Sequence, residues 1–114
     1  MTKSETNKLD KKFREAINER DNHICQRCGN PGNNCHHIVG RRNRSVRWFI
    51  PNGLLLCPGC HTFRTDSFHQ NPRVTMEWFE EKYPDRYQAI KERENKILKQ
   101  TFDEVWEELN GKKR

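Results

Sequence analysis

Two cysteine pairs and a run of histidines carry the chemistry legible in this chain. Cys25-Gln26-Arg27-Cys28 and Cys57-Pro58-Gly59-Cys60 are C-x-x-C pairs, and four thiolates from two such turns surround one tetrahedral zinc ion at about 2.3 Å each. Gly29 after the first pair and Pro58-Gly59 inside the second supply the tight turns that let backbone amides face the sulfurs. Four sulfurs fill the coordination sphere, so Cys25, Cys28, Cys57 and Cys60 read as ligands of a structural zinc, with a folding contribution on the order of 10 kcal/mol. The pairs are separated by 28 residues, more than the roughly 15 to 20 of a simple zinc ribbon. The excess marks an insert with room for function.

That insert holds Cys35-His36-His37-Ile38-Val39, then an arginine cluster, then Asn52-Gly53-Leu54-Leu55-Leu56, and His61 follows directly on the second pair. Adjacent histidines on a strand point to opposite faces, so one of His36 and His37 can hold a metal while the other works across a substrate atom. Hydrolysis of a phosphodiester requires that division: a base to activate water for in-line attack, and a cation to neutralise charge on the leaving oxygen. His69 lies eight residues beyond His61. On a continuous helix it shares the His61 face but sits some 12 Å along the axis; a bend near Ser67 brings it back, which makes His69 a candidate third ligand with Asp66 as its competitor. His23 reads as a surface residue, and Cys35, the fifth cysteine, as a small buried one.

The elements that must position these groups follow from periodicity. Leu9, Phe13, Ala16 and Ile17 recur at helical spacing behind Thr2 and Glu5, a capping-box pair, which predicts a helix over about residues 5–21. His23 to Cys60 is rich in Gly, Pro, Asn and Cys, with short β-like pieces at 36–39, 46–50 and 54–56 joined by turns. A second helix is expected from Pro58 or Gly59 to about Phe68. Asn71-Pro72 breaks the chain; Met76, Phe79 and Tyr83 mark a short helix ended by Pro84. Tyr87, Ile90, Ile97 and Leu98, then Phe102, Val105, Trp106 and Leu109, continue the helical period to Gly111. The plan is α+β in one domain over 1–114: an N-terminal helix (5–21), a β-rich metal centre (22–71) and a helical extension (72–111). The apolar stripe at 102–109 suits a dimer contact as well as packing on the core, which leaves monomer and homodimer both open.

Composition supports the staple. Leu, Ile, Val and Phe make up 22 of 114 residues, just under the roughly 20% below which a highly charged chain tends toward disorder, and small domains in that position borrow stability from disulfides or a metal. No apolar run approaches the roughly 18 residues of a membrane helix, and Met1-Thr2-Lys3-Ser4-Glu5 leads into no apolar signal core. A cytoplasmic protein with no membrane partner is expected, where an odd cysteine count favours metal ligation over disulfides.

The net charge is +6, and its distribution is uneven: between Asp21 and Asp66 no acidic residue occurs, while Arg27, Arg41, Arg42, Arg44, Arg47 and Arg64 all fall there. Arginines without compensating carboxylates repel one another unless a polyanion joins them, and their planar fork suits phosphate, so nucleic acid is the expected partner. Lys8, Lys11, Lys12 and Arg14 mark a basic face that reads first as a solvated helix. Trp48 and Phe49 suit base stacking or core packing.

His37, Asn52 and His61, spaced inside paired zinc knuckles, resemble the His-Asn-His (HNH) nuclease family over roughly residues 22–71. The stretch from Gly40 through Cys57-Pro58-Gly59-Cys60-His61, with Arg41, Arg42, Arg47, Trp48 and Asn52, resembles small phage-type members. The resemblance implies a ββα-metal (His-Me finger) core flanked by helices and stapled by the four-cysteine zinc site. It places His37 as the catalytic base, Asn52 as the residue that ties the loop and aims the base, and His36 and His61 as ligands of one catalytic divalent cation. Many members carry another histidine four residues after the one matching His61; here that position is Thr65. Asn52-Gly53 is also an ordinary hairpin turn, a reading compatible with the tie.

Imidazole ligands favour Zn2+, Ni2+, Co2+ or Mn2+ over Mg2+, which prefers oxygen. The implied activity is a metal-dependent endonuclease that cuts DNA, expected to be double-stranded, and leaves 5′-phosphate and 3′-hydroxyl ends. Arg41, Arg42, Arg44 and Arg47 would contact backbone phosphates, which position a duplex without reading its sequence. Phage packaging, recombination or homing, with the corresponding phage proteins as partners, is the implied setting. The alternative is a zinc-stapled DNA-binding module without catalysis.

Overall fold

Helix α1 spans Lys3–Arg20 in the structure, a computed structural model that describes residues 1–111. The Thr2 hydroxyl accepts from the Glu5 N–H and the Glu5 carboxylate accepts from the Thr2 N–H, so the expected capping box starts the helix by satisfying amides that a helix end leaves bare. Leu9, Phe13 and Ile17 are its buried stripe. Asn22 and His23 then take left-handed φ angles of 61° and 59° and turn the chain away.

Strand β1 (Asn34–His37) pairs antiparallel with β2 (Gly53–Leu56), in the register Cys35 with Leu55, His36 with Leu54, and His37 with Gly53. β2 is buried along its whole length because both of its faces are covered. Leu54 and Leu56 join Cys25, Ile38, Cys60, Phe68, Phe79 and Ile90 on one side. Leu55 joins Leu9, Phe13, Ile17, Trp48, Val105 and Leu109 on the other. Helices α2 (Pro72–Lys82) and α3 (Pro84–Glu94) supply Phe79 and Ile90 to the first cluster; α4 (Phe102–Leu109) packs Val105 and Leu109 against α1 in the second. The 102–109 stripe is thus spent within the chain. Gly53 lets α1 approach the sheet: a Cβ there would lie 2.6 to 2.8 Å from Ile17 and Phe13 side-chain atoms. No helix among the described residues is long and apolar enough to cross a membrane.

Three expectations are corrected. Residues 46–50 form no strand: they make a turn, with the Val46 N–H bonded to the Asn43 carbonyl and the Phe49 N–H to the Val46 carbonyl, so their backbone groups are satisfied locally and need no sheet partner. The helix expected to Phe68 is only a π-type turn over Gly59–Phe63, after which Arg64 is extended. There the chain doubles back, because buried Ser67 donates to the Thr62 carbonyl while the Phe68 and His69 amides bond to Cys60 and His61 carbonyls. The helical period is also broken after Glu94, and Ile97, placed on the apolar stripe by spacing, is 95% exposed.

Candidate active site

The Sγ atoms of Cys25, Cys28, Cys57 and Cys60 all lie within 4.8 Å of one another. The Cys28–Cys57 separation of 3.7 Å matches the roughly 3.8 Å edge of a tetrahedron with 2.3 Å metal–sulfur bonds. Burial pushes the Cys25 thiol up, but the Cys28, Cys57 and Arg27 backbone groups outweigh it and bring the thiol down to about 7. Cys60 is pushed up by burial and by the neighbouring sulfurs. Crowded sulfur atoms of that kind are the donor set a soft divalent ion relieves, releasing protons as it binds. The four residues can hold a structural metal. Cys35 stands apart from them beside the α1 cluster, where burial pushes its thiol up to about 12.

The two strand histidines do face opposite ways. On the side of the first cluster, His36 meets Phe68, His61 and His69, with ring centroids 4.8, 5.2 and 5.3 Å away. His61 comes from the π-type turn, and the reversal through Ser67 returns His69 to it, Nε2 to Nε2 at 3.0 Å. One nitrogen from each of His36, His61 and His69 falls within 4.8 Å of the others, and 3.0 Å is about the span between two ligands at right angles on one ion at 2.1 Å, closer than the roughly 3.4 Å of a tetrahedral site. The bend, not a helix face, is what assembles the trio. Asp66 is elsewhere, bonded to Arg64 and Arg27. Burial, then the neighbouring His61, His69 and His37, hold His36 down at about 3; burial and His69 lower His61. Neutral imidazoles with free lone pairs are the form that binds metal.

His37 points toward α1, stacked on Phe13 with centroids 5.0 Å apart. Its Nε2 lies 2.9 Å from the Arg47 carbonyl. A carbonyl only accepts, so Nε2 carries the proton and Nδ1 is left as the acceptor. His37, His36, His61 and His69 line one cavity of about 360 Å³ together with Asp10, Arg14, Cys35, Gly40 and Arg41.

Asn52 is completely buried. Its Oδ1 accepts from the Val39 N–H at 2.8 Å, and its Nδ2 donates to the Val39 and Val46 carbonyls at 2.9 and 3.0 Å. These bonds tie the end of β1 to the 46–48 turn that supplies the acceptor for His37.

The four arginines divide. Arg41 is exposed and lines the histidine cavity, and Arg42 is exposed. Arg44 lies over the Trp48 ring, 4.9 Å from its centroid, and borders a different recess with Lys3 and Lys99. Arg47 is not open to phosphate: Nε and Nη2 grip Asp10 at 3.0 and 2.7 Å, and its side chain is 17% exposed. Trp48 is buried, its indole N–H also bonded to Asp10 at 2.9 Å, which places it in the core. Asp10, which also lines the histidine cavity, is the residue of this site that sequence reasoning missed. It sits between Leu9 and Lys11 on a helix of mixed charge, and nothing local signals a partner 37 residues away.

No family model matches the chain, and comparison with curated proteins and with solved structures gave no match either; the functional reading therefore rests on the geometry of the site.

Proposed function

We propose that the chain is a metal-dependent DNA endonuclease of the HNH type, with β1, β2 and the Gly59–Phe63 turn forming a shortened ββα-metal core. The observation that carries this reading is the convergence of His36, His61 and His69 beside a fourth histidine, His37, in one cavity. His37 is neutral, holds its proton on Nε2 and keeps Nδ1 for a proton to be taken from water.

His36, His61 and His69 would hold one divalent cation, which when bound supplies neutralisation of charge on the leaving oxygen. His37 takes the proton as the water oxygen attacks phosphorus; the bond from phosphorus to the 3′ oxygen breaks and that oxygen takes a proton from solvent water, giving 5′-phosphate and 3′-hydroxyl ends. Arg41 and Arg14, which line the cavity, would orient the phosphate. Asn52 aims the base, and the four cysteines, which would hold a structural zinc, would thereby keep His61 in place, since His61 follows Cys60 directly.

The test is nicking of a supercoiled plasmid with Mn2+, Ni2+, Zn2+ or Mg2+, beside His37→Ala and His69→Ala. The reading expects cutting by the unmutated protein, near-complete loss with H37A, and for H69A a weaker divalent-ion affinity by calorimetry, by roughly 10-fold or more. DNA binding without cutting by the unmutated protein would end the nuclease reading.

A further inference from the structure

We infer that Asp10, on α1, is a positioning residue for His37 that acts through Arg47; this rests on the nuclease reading. The Arg47 carbonyl, which receives the His37 Nε2 proton at 2.9 Å, belongs to the peptide plane between Arg47 and Trp48. Asp10 grips the side chains on both sides of that plane: Oδ1 and Oδ2 accept from Arg47 Nε and Nη2 at 3.0 and 2.7 Å, and Oδ1 accepts from Trp48 Nε1 at 2.9 Å. One carboxylate thus holds the residues on either side of the plane in a fixed relation, from which the carbonyl faces His37.

The plane needs such a clamp because it lies in a turn with no strand partner. Asn52 fixes only the preceding carbonyl, that of Val46, at 3.0 Å. The pair is well shielded, with Arg47 and Asp10 side chains 17% and 12% exposed, and a bidentate arginine–carboxylate contact in that setting has both strength and direction. Asp10 also lines the histidine cavity, so the clamp is built into the wall of the site. The consequence reaches the base in two ways: the carbonyl selects the Nε2–H tautomer, leaving Nδ1 for water, and it fixes the ring angle against Phe13. Arg47, an apparent phosphate contact by sequence, becomes an internal strut.

Asp10→Asn keeps the shape and one oxygen while removing the charge and the two-pronged grip. Plasmid nicking at saturating cation is expected to lose roughly 10- to 100-fold in kcat with KM changed less than about twofold. Ring 15N spectra of His37, at a pH where it is neutral, are expected to move from a single Nε2–H tautomer to a mixture, while amide signals of the distant Phe79 and Ile90 stay in place. A rise in KM with kcat unchanged would make Asp10–Arg47 a DNA contact and overturn the inference; so would unaltered His37 ring signals. The tautomer reading does not depend on cutting, so it tests the clamp even where the unmutated protein fails to nick and the nuclease reading falls. If Asp10→Asn does not fold, Trp48→Phe removes one grip and keeps the ring; a smaller tautomer shift in the same direction supports the clamp, and none overturns it.

Discussion

Replacing Asn52 by Ala tests the tie on which the site depends. The side chain is fully buried and serves three backbone groups: the Val39 N–H, the Val39 carbonyl and the Val46 carbonyl, all at 2.8 to 3.0 Å. Each buried group left bare costs about 1 to 3 kcal/mol, and water entering the vacated space recovers a part, so the expected loss is about 3 to 5 kcal/mol. Against a domain stability of about 5 to 15 kcal/mol that is severe but survivable with zinc bound. At about 4 °C per kcal/mol it becomes a fall in Tm of roughly 12 to 20 °C, read by thermal denaturation at fixed zinc concentration. Asn52→Asp separates hydrogen bonding from cavity formation: it keeps the volume and the acceptor for the Val39 N–H, removes both donors and buries a charge. It is expected to be at least as damaging at neutral pH and to recover on acidification, when the carboxyl regains a proton to donate. A Tm fall under about 4 °C for the Ala variant, with nicking intact, would show that Asn52 does not hold the turn in place.

Other perturbations have equally definite signs. Burial holds the His37 pKa below its usual 6.5, although the bond to the Arg47 carbonyl pulls upward; the neutral base is complete above that usual value and lost only as pH falls through the depressed one. The acid limb of single-turnover nicking should therefore have its midpoint below 6.5, and a midpoint above it contradicts the buried, neutral base. With zinc on the four cysteines, a strong chelator would remove on the order of 10 kcal/mol, comparable to the whole stability of a small domain, so far-UV circular dichroism should show the helices melting; a retained spectrum would mean that the four-cysteine cluster is not the staple. Gly53→Ala brings a Cβ to 2.6 Å from Ile17 and 2.8 Å from Phe13. Overpacking of that kind costs about 1 to 3 kcal/mol, measurable as a lower urea midpoint, and because Phe13 backs the His37 ring, nicking should fall with it.

Features set by neighbours within a turn of chain were legible before folding was considered. Leu9, Phe13 and Ile17 share a face because a helix repeats every 3.6 residues, and Thr2 and Glu5 cap it by local reach alone. The C-x-x-C pairs announce their own turns, and the opposite facing of His36 and His37 follows from the strand period of two. Tertiary packing decided the rest. Residues 46–50 have strand-like composition, yet Asn43, Asn52 and Asp10 hold them as a turn. His69 reaches His61 only because Ser67 is buried and reverses the chain. Arg47 looks like its exposed neighbours in sequence, and its pairing with Asp10 depends on α1 docking against the sheet through Gly53, which brings a carboxylate from 37 residues away. Periodicity encodes which groups share a face, whereas an ion pair between distant segments exists only once both have been brought together and shielded from water.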